Sequence, residues 1–119
     1  MSSQALKRKI SSSVNGEGVS ITATSAPGTT VHTAVSGTTD GTYDEIWLWA
    51  YNSYINDLVL TIDYAGSEII VTVPYKCGLV PILPGLILYN SGVVSAHSTE
   101  SGAITIFGFT HRLSDTAVV

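Results

Sequence analysis

The stretch Tyr43-Asp44-Glu45-Ile46-Trp47-Leu48-Trp49-Ala50-Tyr51 decides the fold class. It holds both tryptophans of the chain, set among aromatic, β-branched and aliphatic neighbours that suit a pleated surface. At the strand period of two, Trp47, Trp49 and Tyr51 share one face, while Ile46, Leu48 and Ala50 share the other. Both faces are apolar, which predicts a strand covered on both sides. One cover is the core of the domain; the other is a second part of the chain or a partner subunit.

Outward from this strand the chain reads as short β segments separated by turn residues. Upstream, Val19-Ser20-Ile21-Thr22-Ala23-Thr24 alternates apolar and hydroxyl side chains. Thr29 to Val35 follows with Val31 and Val35 on one face, and Ser36 to Thr42 is a Gly/Thr-rich loop. Downstream, Leu58 to Tyr64 and Glu68 to Val73 form a hairpin through Ala65-Gly66-Ser67, with Leu58, Leu60, Ile62 and Tyr64 facing inward. Pro74 ends it. Pro81 and Pro84 bar a central position for the next segment, so a bend is expected there and a strand from Leu86. Val93 to His97 and Ala103 to Thr110 complete the set, the latter with Phe107 and Phe109 on one face and Ile104 and Ile106 on the other. Gly108 marks a bend or a close backbone approach, and Ser114 to Val119 reads as a loose tail. The pattern predicts an all-β antiparallel sandwich of jelly-roll type over residues 19–119.

Residues 1–18 read as an N-terminal extended arm. Ser2 to Ile10 has the makings of two helical turns, too short to stand alone in water, and a Ser/Gly-rich linker follows. As a segment that orders against a partner, the arm offers Leu6 and Ile10 as apolar anchors and Lys7, Arg8 and Lys9 to meet acidic surface. Its basic residues are followed by serines rather than an apolar stretch, so no secretory signal is expected.

Charged residues make up only 12% of the 119 residues, about half the usual share. Hydroxyl residues and self-association are therefore both expected to cover surface. Three of the five basic residues lie in the arm, leaving two bases against nine acids from residue 10 onward, a balance of −7. That excludes a direct nucleic-acid partner, which calls for a basic face. No run approaches the ~18–20 apolar residues of a membrane-crossing helix, so no membrane partner is expected.

The residues that could carry chemistry are scattered. His32, His97 and His111 have no partner at metal-ligand spacing, each reading as a surface or satisfied core position. Cys77 has no local base motif and reads as a small apolar filler. Asp44 and Glu45 project to opposite faces of one strand and cannot form an acid–base pair within it. Asp57, Asp63 and Glu68 flank the hairpin as a solvated rim. No catalytic residue, metal or cofactor is expected. Trp47, Trp49 and Tyr51 fit an inter-sheet or subunit interface, with a sugar-stacking platform as the alternative.

Four segments carry a family resemblance through their order: Asp44 to Asn52, Leu58 to Tyr64, Val80-Pro81 with Pro84-Gly85-Leu86, and Ile104 to Leu113. Together they resemble small virion structural proteins of tailed bacteriophages, over roughly residues 43–113. Leu113 stands where the family pattern has isoleucine, and residues 1–42 lie outside the likeness. The resemblance implies a non-enzymatic protein made in the bacterial host cytoplasm and resident in the virion head or neck. It implies a homotrimer or ring that contacts the major capsid protein or neighbouring virion proteins. Capsid decoration (cement) is the expected role; a neck, collar or head–tail joining protein is the alternative, and a carbohydrate-binding module a more distant one.

Overall fold

The computed structural model describes residues 2–116. Nine strands follow in order: β1 (Ser2–Lys9), β2 (Val19–Ile21), β3 (Thr29–Thr33), β4 (Tyr43–Asn52), β5 (Leu58–Tyr64), β6 (Ser67–Val73), β7 (Val80–Leu88), β8 (Val93–Ser98) and β9 (Ile104–Thr116). They form two antiparallel sheets: β1-β9-β4-β7, with β2 also on β9, and β3-β8-β5-β6. From β2 onward every connection except the β5–β6 hairpin passes from one sheet to the other. The sheets pack face to face as a β-sandwich, elongated to 57 × 24 × 21 Å.

The strand period writes the core directly. Ile46, Leu48 and Ala50 of β4, Leu58, Leu60 and Ile62 of β5, and Ile104 and Ile106 of β9 turn inward and are buried. Ile21, Val31, Leu83 and Val94 join them from the other strands. The Tyr64 hydroxyl donates to the Ile87 carbonyl at 2.7 Å and ties β5 to β7 across the gap between sheets. Burial pushes that hydroxyl up to about 12.

Four expectations change. Residues 2–9 of the expected arm run as an edge strand along β9 rather than as helical turns, and Ile10 is fully buried in the core. Pairing with an existing strand satisfies the backbone that an isolated helix of two turns leaves open to water. The expected bend before Leu86 is instead the first part of β7, which starts at Val80. β7 is an edge, and its register against β4 slips at Gly85 and at Ile82, so neither Pro81 nor Pro84 removes a needed ladder bond. Cys77 lies exposed in the turn after β6 and fills nothing. The expected loose tail is strand up to Thr116, where it pairs with Ser2, and residues 117–119 lie outside the described residues.

Gly108 marks a close approach: a Cβ there would run into the carbonyl oxygen of Trp47 and to 2.8 Å from a Leu48 methyl group. Gly108→Ala is therefore expected to force β9 away from β4 along the best-paired seam of the sandwich. Urea melts should show a loss of about 1–3 kcal/mol. A stability equal to that of the native chain would mean that this seam has slack.

Candidate functional site: an aromatic sheet face

β4 alternates strictly between buried and half-buried residues from Tyr43 to Asn52. The half-buried set, Tyr43, Glu45, Trp47, Trp49 and Tyr51, looks away from the core on the outer face of the five-stranded sheet. β9 adds Phe107, Phe109 and His111 in register with Trp49, Trp47 and Glu45. β1 adds Lys7 and Lys9, opposite His111 and Phe109. The inter-sheet contact is made by Ile46, Leu48 and Ala50, so the tryptophans stand outside the sandwich. No segment among the described residues lies across them as a third layer.

The face has internal order. Phe109 is its centre: its ring stacks with Trp47 at 6.4 Å and 19°, lies 5.9 Å from Trp49, and meets the His111 ring at 5.2 Å. The Lys7 ammonium sits 4.4 Å from the Phe109 centroid, the geometry of a cation–π contact. The Trp47 indole N–H donates to Glu45 Oε1 at 2.8 Å, and His111 Nδ1 lies 3.3 Å from the same oxygen. The indole and His111 hold the Glu45 carboxyl below its usual range. Gly85 in β7 makes room for the Trp47 ring, since a Cβ there would approach Cζ2 to 2.7 Å, and its φ of 77° is the left-handed conformation of a bulge glycine. The result is an aromatic centre with a rim of one carboxylate, one histidine and the β1 lysines. Such a surface resembles the composition of protein interfaces.

Beneath the end of this face lies a buried polar network that the strand period alone did not expose. The Asp44 carboxylate is fully buried and accepts from His32 Nε2 (2.7 Å), the Val35 N–H (3.2 Å), Arg112 Nε (2.7 Å) and an Arg112 Nη (3.0 Å). Burial alone would raise its carboxyl, but the hydrogen bonds from Arg112 and His32 and the charge of Arg112 outweigh it and hold it well below the usual carboxylate range. His32 is in reach because the β3 register slips between Thr30 and His32, which turns both Val31 and His32 inward. Its Nδ1 accepts the Ser11 N–H at 2.9 Å, so Nε2 carries the proton given to Asp44. With both ring nitrogens committed and no hydroxyl on either, this His–carboxylate couple has no lone pair to activate a nucleophile.

The other expected site residues divide. Leu6, Lys7, Arg8 and Lys9 are exposed along β1, whereas Ile10 is core and cannot anchor a partner. Asp63 and Glu68 do meet, directly opposite each other across the β5–β6 pair. Asp63 Oδ1 accepts the Gly66 N–H, and Asp57 Oδ1 the Tyr75 N–H, so both serve turns. Among the described residues no group of three or more His, Cys, Asp or Glu side chains is placed to hold a metal ion. No family model, curated protein or solved structure matches the chain.

Asp44→Ala strands Arg112 and His32 without their acceptor and is expected to cost about 3–5 kcal/mol. The acid limb of stability follows from the carboxyl's depressed value. The folded chain binds the proton more weakly than the unfolded one, so Asp44 contributes fully above its ordinary 3.8, and this contribution drains away as pH falls below it. Denaturant melts across the acid range should show a shallower decline for Asp44→Asn than for the native chain. Parallel declines would remove Asp44 from the acid response.

Proposed function

We propose that this chain is a non-enzymatic structural protein of a tailed-bacteriophage virion, a decoration protein that docks on the assembled head through its aromatic sheet face. The observation that carries the reading is the position of Trp47, Trp49, Tyr51, Phe107 and Phe109 on the outside of the sandwich, in a chain with few charges. Large half-buried rings on a solvent face carry a free-energy gain that is collected only when a partner covers them. Lys7 and Lys9 beside them suit an acidic docking surface, and the rest of the chain is too acidic to suit nucleic acid.

Two further features support it. The segments resembling virion proteins fall on β4, β5, β7 and β9, three of them in the sheet that carries the face. The alternation of strands between sheets fits a jelly-roll winding, with β1 as an additional strand. A neck or collar position is the second reading, favoured by the same face and separated by copy number per particle. The outward aromatic platform also fits sugar stacking.

Binding of the purified chain to virions lacking it, read by particle imaging and sedimentation, tests the proposal. Trp47→Ala with Trp49→Ala is expected to cut occupancy at least tenfold, each lost ring costing about 2 kcal/mol or more at an interface centre. Lys7→Glu with Lys9→Glu should weaken binding in a salt-dependent way. Removing residues 1–18 is not an equivalent test, because it takes Ile10 out of the core. Occupancy unaffected by the tryptophan pair would sink the docking face. Indole emission that responds to a glycan and not to particles would replace it with the carbohydrate reading.

A further inference from the structure

A two-sheet sandwich has open edges, and most of those in this molecule are blunted. The β3 edge is closed by residues 11–12: the Ser12 N–H donates to the Val31 carbonyl at 3.2 Å, and the Thr33 N–H to Ser11 Oγ at 2.7 Å. β7 carries Pro81, Pro84 and two register slips. β1 carries Lys7, Arg8 and Lys9. These are the recognised devices against edge-to-edge pairing.

β6 has none of these but the single charge of Glu68. Ser67-Glu68-Ile69-Ile70-Val71-Thr72-Val73 holds no proline, glycine or lysine, and it pairs with β5 without a slip from Ser67 to Val73. Ile70 looks outward, 63% exposed, with Val59 of β5 also exposed on the same face. Among the described residues no backbone hydrogen bond reaches the outer side of β6.

We infer that β6 is a self-association edge, pairing antiparallel with β6 of a second copy about a two-fold axis at Ile70. The hairpin fixes which backbone groups are available. Ala65 and Gly66 both have positive φ, the two-residue turn whose flanking pair, Tyr64 and Ser67, is hydrogen-bonded. Alternation along the ladder then directs the N–H and C=O of Glu68, Ile70 and Thr72 away from β5. With the axis at Ile70, Ile70 faces Ile70 and Glu68 faces Thr72, so every outward group is matched and no like charges meet. Moving the axis by one residue sets Thr72 against Gly66 of the turn, or Glu68 against Pro74, which has no N–H. An axis at Glu68 opposes two carboxylates.

The same arrangement covers Ile70 on the outer face and extends the inner row of Ile69 and Val71 across the junction. An isologous contact also consumes both edges, so pairing ends at two copies instead of propagating. The contact is two-fold, unlike the trimer or ring implied by the phage resemblance, and it does not depend on that resemblance.

Sedimentation of the full chain over a concentration series, with amide exchange read residue by residue, tests this. The native chain is expected to form dimers in which the amides of Glu68, Ile70 and Thr72 exchange slowly and become fast on dilution. Ile70→Lys places two ammonium groups across the axis. Thr72→Pro removes an outward N–H without touching the bonds to β5. Each should raise the dissociation constant at least tenfold with circular dichroism unchanged. Ile55→Lys, at a 69% exposed site in the β4–β5 loop, should leave it unchanged and controls for general surface polarity. A monomer at all concentrations, a trimer or ring, or a dimer indifferent to Ile70→Lys overturns the inference. So does a dimer broken instead by Lys7→Glu with Arg8→Glu, which would place β1 at the contact.

Discussion

The Asp44 carboxylate is the point on which the arrangement of strands turns. It sits on β4, takes a two-pronged bond from Arg112 on β9 in the same sheet, and takes His32 from the opposite sheet and the Val35 N–H from the loop after β3. Through His32 it reaches Ser11, where β1 leaves the sheet. A buried charge is poor value as net stabilisation, since desolvation offsets most of the attraction. Its effect here is on register. Sliding β9 by one residue along β4 would turn Arg112 to the solvent face and leave the carboxylate in the core without its cation. The apolar residues alone oppose such slips less sharply, because Ile, Leu and Val substitute for one another in packing.

This explains what was legible in the sequence and what was not. The two-faced β4, the β5–β6 hairpin and the split of β9 into Phe107/Phe109 and Ile104/Ile106 were all readable, because a period of two needs only local residues. The wetter face was not. Trp47 and Trp49 are the largest side chains of β4 and the obvious core candidates, yet the sandwich gap is filled by Ile46, Leu48 and Ala50. A gap of about 10 Å between sheets is better filled by interdigitating aliphatic side chains than by rows of indoles. The tryptophans instead lie against Phe109 on the outside, with Trp47 also over Gly85.

The polar network was hidden for a different reason. Asp44, His32 and Arg112 are far apart in sequence, and His32 points inward only because a slip in β3 breaks the alternation at Val31. A bulge inserts one residue and reverses the facing of everything after it, and no composition signal announces it. The clue that was present is Arg112: one of only two bases after residue 10, placed amid strand residues, it needs a nearby acid. The expected arm failed as a separate unit for a related reason. Its basic and serine-rich composition describes solvent exposure, which an edge strand shares with a disordered tail.

The aromatic face and the β6 edge are compatible in space, and their combination has a consequence neither has alone. The face belongs to the β1-β9-β4-β7 sheet, while the edge belongs to the other sheet, so covering one leaves the other open. A two-fold axis that joins antiparallel strands within one sheet runs perpendicular to that sheet. Rotation about it keeps each molecule's outer layer on the same side, so two copies joined at Ile70 would present their Trp47–Phe109 faces side by side in one direction. Two modest contacts held together in this way would act on a repetitive surface with an effective concentration that a single copy lacks. Under these two proposals the few charges of the chain fit a division of surface: hydroxyl residues where water stays, rings and β-branched residues where a partner or a second copy would arrive.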